Sequence, residues 1–350
     1  MSRPRFGSLD HPVLVVVGGG GVGKTTLAAA LALQSARAGA RTLVMTFDPS
    51  LRLRDALGIS GAAKDQPVPV GIDAPGTLEA VLLDARATFD RIVARYAPDP
   101  AAAQRIFGNR FYQELSGTLA GILEYMAMER LFEASTEGRY DRIILDTPPT
   151  RQALDFLEAP DRIISFLDTR AVKLAQDPWW LEDRSAPSLG KRIAAKGARS
   201  VADRILGRRF LLELVEFIQA FGPLFAGFGA RAGEVRALLR AEGTRFLLVA
   251  GPGPERIPEA MYFLRKLQEA GHRLGPVVVN RVHPEVEGGD AAGLELLRHL
   301  GERDRRGLEE FRSRFPKGGE VLDLPLQPRP PSGLADLESL GETLLGRLRS

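Results

Sequence analysis

Nine consecutive residues, Gly18-Gly19-Gly20-Gly21-Val22-Gly23-Lys24-Thr25-Thr26, bring together the residue types that grip a phosphate. They fit G-x-x-x-x-G-K-[ST], a pattern that carries meaning only between a strand and a helix. Both flanks qualify: PVLVVV at 12–17 is a short β-branched apolar run, and Thr25–Ala38 is a helical stretch stopped at Gly39. The glycines let backbone N–H groups close around phosphate oxygens, and the helix N-terminus adds its positive dipole. In that arrangement Lys24 neutralises the β- and γ-phosphates, and Thr25 offers its hydroxyl to Mg2+. The alternative is a Gly-rich turn that only packs tightly, and strand, motif and helix standing in register argue against it.

Two carboxylates stand at the carboxyl ends of predicted strands. Asp48 follows Arg41–Phe47 and Asp146 follows Arg142–Leu145, at the edge where open α/β sheets bind ligands. Asp146 ends an apolar run and suits a Walker-B role, holding Mg2+ directly or through water. Asp48, just before Pro49, is placed to orient or deprotonate an attacking water. Thr25, Asp48 and Asp146 then make up the expected Mg2+ set, partly through water. A helix or turn cap is the alternative role for either aspartate.

The elements that position these groups read as an α/β chain. Further strands are expected at Phe246–Ala250, Pro276–Val279 and Glu320–Leu324, with helices at 255–270 and 333–349 and a proline-rich turn at 325–331. Strands alternating with helices imply a doubly wound, mostly parallel sheet. Two stretches, about 78–138 and about 151–240, read as helix with little strand. The expected organisation is therefore a single P-loop NTPase domain over 1–350 with an inserted helical subdomain. Segments near 61–76 and 183–190 read as loops.

Composition removes several function classes. The 350 residues contain no cysteine, which excludes disulfides, thiol redox chemistry and thiolate metal sites. The four histidines, His11, His272, His283 and His299, have no metal-ligand spacing, so no zinc is expected. The 47 basic and 44 acidic residues leave a net charge of +3, which gives little reason to expect nucleic acid as a partner. The N-terminus lacks an apolar signal-peptide region, and no uncharged apolar run reaches the roughly 18 residues of a membrane span. A cytoplasmic location is the expectation.

Gly20-Gly21-Val22-Gly23-Lys24-Thr25-Thr26, Asp48-Pro49 with Asp55 following, Asp146-Thr147-Pro148-Pro149-Thr150 and Val279-Asn280-Arg281-Val282 together resemble the ArsA-type ATPases. That group includes arsenite-pump ATPases and the eukaryotic factor that targets tail-anchored membrane proteins. Order and spacing match over almost the whole chain. Leu115–Arg130 is most similar to bacterial members of unsettled role. The resemblance implies that Asp48 is the water-activating switch I aspartate and that Asp146–Thr150 form switch II. It places Asn280, with Arg281 beside it, at the adenine, helped by backbone from 325–331. It also implies a homodimer, or a heterodimer with a related ATPase. No N-K-x-D guanine motif follows a strand, so ATP is expected over GTP.

Three departures from the family pattern matter. The signature lysine that reaches the partner's nucleotide falls at Gly19. The cysteine pair of the targeting factor's zinc clamp and the arsenite-binding cysteines are both absent. Arg52, Arg54 and Arg151, beside the two switch loops, are candidates to supply the missing charge, or are simply solvated.

Within the insertion, Phe210–Phe228 has a wide apolar face with a narrow stripe of Glu213, Glu216 and Gln219. Tyr125, Met126, Met128 and Leu131 make a second apolar patch and Trp179-Trp180 a third. These read either as a groove for an apolar client helix or as self-packing. Lys191–Arg209 is basic but has no aromatic interleaving, the pattern of a solvated face. The sequence thus points to a MgATP-dependent conformational switch that binds and releases a hydrophobic or protein client. A nucleotide-sensing subunit with little turnover and a ParA/MinD-like positioning ATPase remain open.

Overall fold

The valine run at 13–18 is buried at every position, the pattern of a parallel strand covered on both faces rather than one half open to water. This computed structural model describes residues 6–47, 52–59, 65–110, 112–113, 122–148, 150–168, 221–222, 227–286, 292–315 and 319–349. The strands among them are β1 (Val13–Gly18), β2 (Arg41–Thr46), β3 (Val68–Pro69), β4 (Thr77–Leu82), β5 (Arg142–Asp146), β6 (Thr244–Ala250), β7 (Leu274–Val282) and β8 (Val321–Pro325). The helices used below are α1 (Lys24–Arg37), α2 (Arg52–Leu57), α3 (Ala85–Tyr96), α4 (Pro100–Gly108), α5 (Ile122–Thr136), α6 (Thr150–Leu167), α7 (Ile257–Glu269), α8 (Ala292–Arg314) and α9 (Leu334–Arg347).

The strands form one sheet in the order β3-β4-β2-β5-β1-β6-β7-β8. Every pairing is parallel except β3 with β4. β1 has β5 on one side and β6 on the other, so the winding reverses at the strand that carries the glycine loop. The crevice at such a reversal is where open α/β sheets take ligands. The fold is α/β, a mostly parallel sheet with helices, in keeping with a P-loop NTPase core.

α1 buries Leu27 through Ala36 without interruption. Its alanines let the helix lie close to the sheet. α9 packs beside it, with Gln34 Nε2 donating to the Glu338 carbonyl at 2.9 Å and Leu337, Leu340 and Leu344 buried. At the amino end of the sheet, Arg142 pairs with Asp10 at 2.5 Å and covers the Phe6 ring. The groups that hold the N-terminal segment thus lie far along the strands from the glycine loop.

The chain divides into two compact units. One comprises Met1–Asp84, Arg130–Leu157 and Ala237–Ser350 and carries the sheet; the other comprises Ala85–Glu129 and Glu158–Arg236. Among the described residues, the second unit is helical. Its core gathers Phe89, Ile92, Ile106, Tyr112, Tyr125, Met126, Phe221 and Phe228. Phe89 meets Phe228 edge-on, with ring centroids 6.1 Å apart at 85°, a favoured aromatic geometry. Buried Glu129 accepts from Tyr125 Oη at 3.0 Å and pairs with Arg231. A carboxylate inside an apolar bundle has to be satisfied in this way.

The structure corrects several expectations. The stretch at 78–138 opens with strand rather than helix, because Thr77–Leu82 pairs in register with β2. The 61–76 loop contains the short edge strand β3. The division between units at Ala85, Glu129, Glu158 and Arg236 differs accordingly from 78–138 and 151–240. α8, 23 residues long, was not anticipated. Tyr125, Met126, Met128 and Leu131 are buried rather than presented. Phe221 and Phe228 likewise belong to the helical unit's own core. Residues 210–220, 223–226, Trp179-Trp180, 183–190 and Lys191–Arg209 lie outside the described residues. No described helix is long and apolar enough to cross a membrane.

Candidate nucleotide site

The glycine loop runs from the end of β1 into α1. Gly23 caps the helix in the left-handed region (φ 98°), and a Cβ there would overlap the Asn280 side-chain amide. Glycine is therefore required twice over, by conformation and by space. Lys24 is buried, and its ammonium donates to the carbonyls of Gly18 (3.0 Å) and Gly19 (2.8 Å). These bonds hold it over the loop. Gly18, Gly19 and Val22 are buried, whereas Gly20 and Gly21 are exposed at the tip. Thr26 follows Thr25 on the first turn of α1.

Two hydroxyls converge on Asp146, which is 1% exposed at the end of β5. Thr25 Oγ1 donates to Asp146 Oδ2 at 2.7 Å, and Thr46 Oγ1 donates to the same oxygen at 2.9 Å. Thr46 was missed in the sequence. It ends β2 directly beside Asp146 in the sheet register, and a hydroxyl two residues before Asp48 on a buried strand was the available signal. Thr147 donates its hydroxyl to the Val16 carbonyl at 2.8 Å and its N–H to the same oxygen at 3.2 Å. The chain leaving β5 is thereby tied to β1. Hydroxyl and carboxylate oxygens are the donors Mg2+ prefers, whereas zinc sites are built from histidine and cysteine. Among the described residues no three His, Cys, Asp or Glu cluster together. Such a cluster is not needed by an ion held largely by phosphate and water.

On the other side of the loop, β7 supplies Asn280 and Arg281. Asn280 Nδ2 donates to the Val22 carbonyl at 2.8 Å, and Arg281 Nη1 donates to the Gly21 carbonyl at 2.8 Å. Arg281 is one of two described non-glycine residues with positive φ, at 66°. Its N–H is held by Asn280 Oδ1 at 3.0 Å. The strand end and the glycine loop are thus bonded side chain to backbone. Asp48 and Pro149 lie outside the described residues, as do the side chains of Thr150, Arg52 and Arg151. Pro148 is half-buried after Thr147. Arg54 pairs with Asp55 at 3.4 Å.

The model of the ArsA ATPase family, described as anion-transporting ATPases, matches residues 11–184. An uncharacterized protein of Streptomyces coelicolor is 30% identical over 304 residues, covering 86% of this chain and 69% of that one. ATPase GET3 of Chaetomium globosum is 26% identical over 333 residues, covering 95% and 89%. ATPase get3 of Neurospora crassa is 25% identical over 333 residues, covering 95% and 90%. The chain belongs to the ArsA-type ATPase family. It is an ATPase, and nucleotide use follows from that.

In this ArsA-type ATPase Gly19, where the resemblance leads one to expect a lysine, faces α7. A Cβ there would stand 3.0 Å from Glu259 Oε2. A hollow of about 10 Å³ beneath it is lined by Gly18, Val22, Arg256, Glu259 and Phe263, room for about one water at most. Sequence reading did not anticipate an acidic side chain under the loop, because Glu259 is 240 residues away and sits in an ordinary amphipathic helix.

Proposed function

We propose that the chain is a Mg2+-dependent ATPase whose cycle of ATP binding and hydrolysis switches the binding and release of a hydrophobic or protein client. The observation that carries the enzymatic half is the convergence of Thr25 and Thr46 hydroxyls on buried Asp146 at the foot of the glycine loop. Bound Mg2+ would neutralise β- and γ-phosphate charge and so favour departure of ADP as the leaving group. Thr25 and Asp146 are the residues that would hold it, and Thr46 orients Asp146. The loop N–H groups and the α1 N-terminus grip the phosphates. Lys24 exchanges its Gly18 and Gly19 carbonyls for phosphate oxygens. Asp48 accepts the proton of the attacking water, and Asn280 contacts the base with Arg281 beside it.

The client half rests on kinship with the family and not on a groove, since the described aromatic residues of the helical unit are its own core. Arsenite is a poor substrate for a chain without thiols. The test is steady-state ATP turnover with Mg2+ and with chelator, for the wild type, Lys24→Ala and Asp48→Asn, alongside solution mass with ATP. Mg2+-dependent turnover lost in both variants supports the reading. Turnover persisting in Lys24→Ala overturns it.

A second reading, a nucleotide-sensing subunit that awaits a lysine-bearing partner, is favoured by Gly19 with Glu259 beside it. Tight ATP binding without turnover in a monomer would select it.

A further inference from the structure

The end of β7 is a strained bulge held from two sides. The pairing of β7 with β8 shifts register between Val279 and Val282. Inside that shift Arg281 takes the left-handed conformation, which a non-glycine residue keeps only when its surroundings over-determine it. One set of restraints is the bonds from Asn280 and Arg281 to the glycine loop. The other comes from α8. Asp304, fully buried, accepts the backbone N–H of His283 at 3.1 Å and its Nδ1 at 2.6 Å on the same oxygen, Oδ2. Arg303 satisfies Oδ1 through Nη2 at 2.8 Å and Nε at 3.1 Å.

The helix is shaped for this contact. Gly301, Asp304 and Gly307 recur every three residues and so share one face. A Cβ at Gly301 would stand 3.0 Å from the Pro284 carbonyl, and one at Gly307 would overlap the Pro252 carbonyl. The face therefore fits against the segments that leave both β6 and β7. Arg305 and Glu285 add an exposed pair at 2.9 Å, which contributes little by itself.

We propose that Asp304 is a positioning residue for the nucleotide base: through His283 it fixes the bulge that presents Asn280 and Arg281. This rests on the reading of Asn280 as the base-contacting residue. The phosphates are gripped elsewhere, by the loop N–H groups and by Lys24, whose anchors are Gly18 and Gly19. Loss of Asp304 therefore acts mainly on base recognition and reaches the phosphates only through the Asn280 and Arg281 bonds to the Val22 and Gly21 carbonyls.

The experiment is calorimetric titration of the full chain with MgATP and with magnesium tripolyphosphate, which has no base. It compares the wild type with Asp304→Asn, His283→Ala and Asn280→Ala. Asp304→Asn weakens MgATP about tenfold, the equivalent of about 1.4 kcal/mol, and weakens tripolyphosphate by much less. His283→Ala follows in the same direction with a smaller effect, and it decides alone if Asp304→Asn does not fold. Equal weakening of both ligands would mean that Asp304 supports the fold only, and overturns the proposal. Weakening of MgATP by Asn280→Ala, with no effect of the other two variants, overturns the positioning role while the base reading stands. Unchanged MgATP affinity in Asn280→Ala removes the base reading and the proposal with it.

Discussion

Two threonines donate to one oxygen of Asp146, yet they stand on different elements and have different tasks. Thr25 opens α1 at the foot of the glycine loop, whereas Thr46 ends β2, one strand over from Asp146 in the sheet. Replacing either hydroxyl by a methyl removes one bond to a buried carboxylate, a loss of about 1–2 kcal/mol in stability. On turnover the two should separate. Thr25→Val removes the hydroxyl proposed to hold the ion and is expected to abolish Mg2+-dependent hydrolysis. Thr46→Val only loosens the carboxylate and should raise the Mg2+ needed for half-maximal rate by about tenfold, one lost bond's worth, with a nearly normal plateau. Magnesium titrations of the ATPase rate check this, and identical plateaus in the two variants would refute the assignment.

At the scale of elements, the contact between the α1 N-terminus and β7 passes through Gly23. Alanine there would be strained by its φ of 98° and would overlap Asn280. Gly23→Ala is therefore expected to cost about 1–3 kcal/mol and to weaken ATP binding. Denaturant unfolding and nucleotide titration read the two effects separately. This contact also shows where the sequence was informative. The glycine loop, β1 and Asp146 were legible because strand, motif and helix are contiguous and the strand interiors, Val13–Val17 and Ile143–Leu145, are apolar. Strand β4 was not, since TLEAVL breaks the alternation with buried Ala80 and Val81 in succession and carries Glu79 in its middle. α8 was hidden for the opposite reason. Its surface is charged, and the apolar residues it buries, Leu308 and Phe311, come late in its length. The bonds from Asn280 and Arg281 to the loop span 258 and 260 residues. No local pattern records such a distance, although the resemblance had placed Asn280 at the nucleotide.

For the whole molecule, the apolar residues of the helical unit bear on stability before they bear on any client. Phe228 is 8% exposed and packs on Phe89, Tyr125 and Phe221. Phe228→Ala should destabilise by about 3 kcal/mol or more, seen as increased proteolysis within 85–129 and 158–236, and unchanged protease resistance would return Phe228 to the groove reading. Acid stability adds a second global test. Burial alone would raise the Asp304 carboxyl, but the bonds from His283 and Arg303 outweigh it and hold it below its ordinary 3.8. A depressed folded-state value means that the unfolded chain binds the proton more readily. The contribution of Asp304 is therefore complete above pH 3.8 and is lost as pH falls through its lower folded value. Over the same range the 44 carboxylates neutralise and leave 47 Lys and Arg charges unopposed, so the wild type steepens its loss for two reasons. Asp304→Asn removes only the first. Its unfolding free energy should lie below wild type at neutral pH, and the gap should narrow as pH falls from about 3.8 towards the lower folded-state value of Asp304. Denaturant unfolding at a series of pH values measures that gap, and a gap independent of pH would mean that Asp304 stabilises by shape rather than by charge.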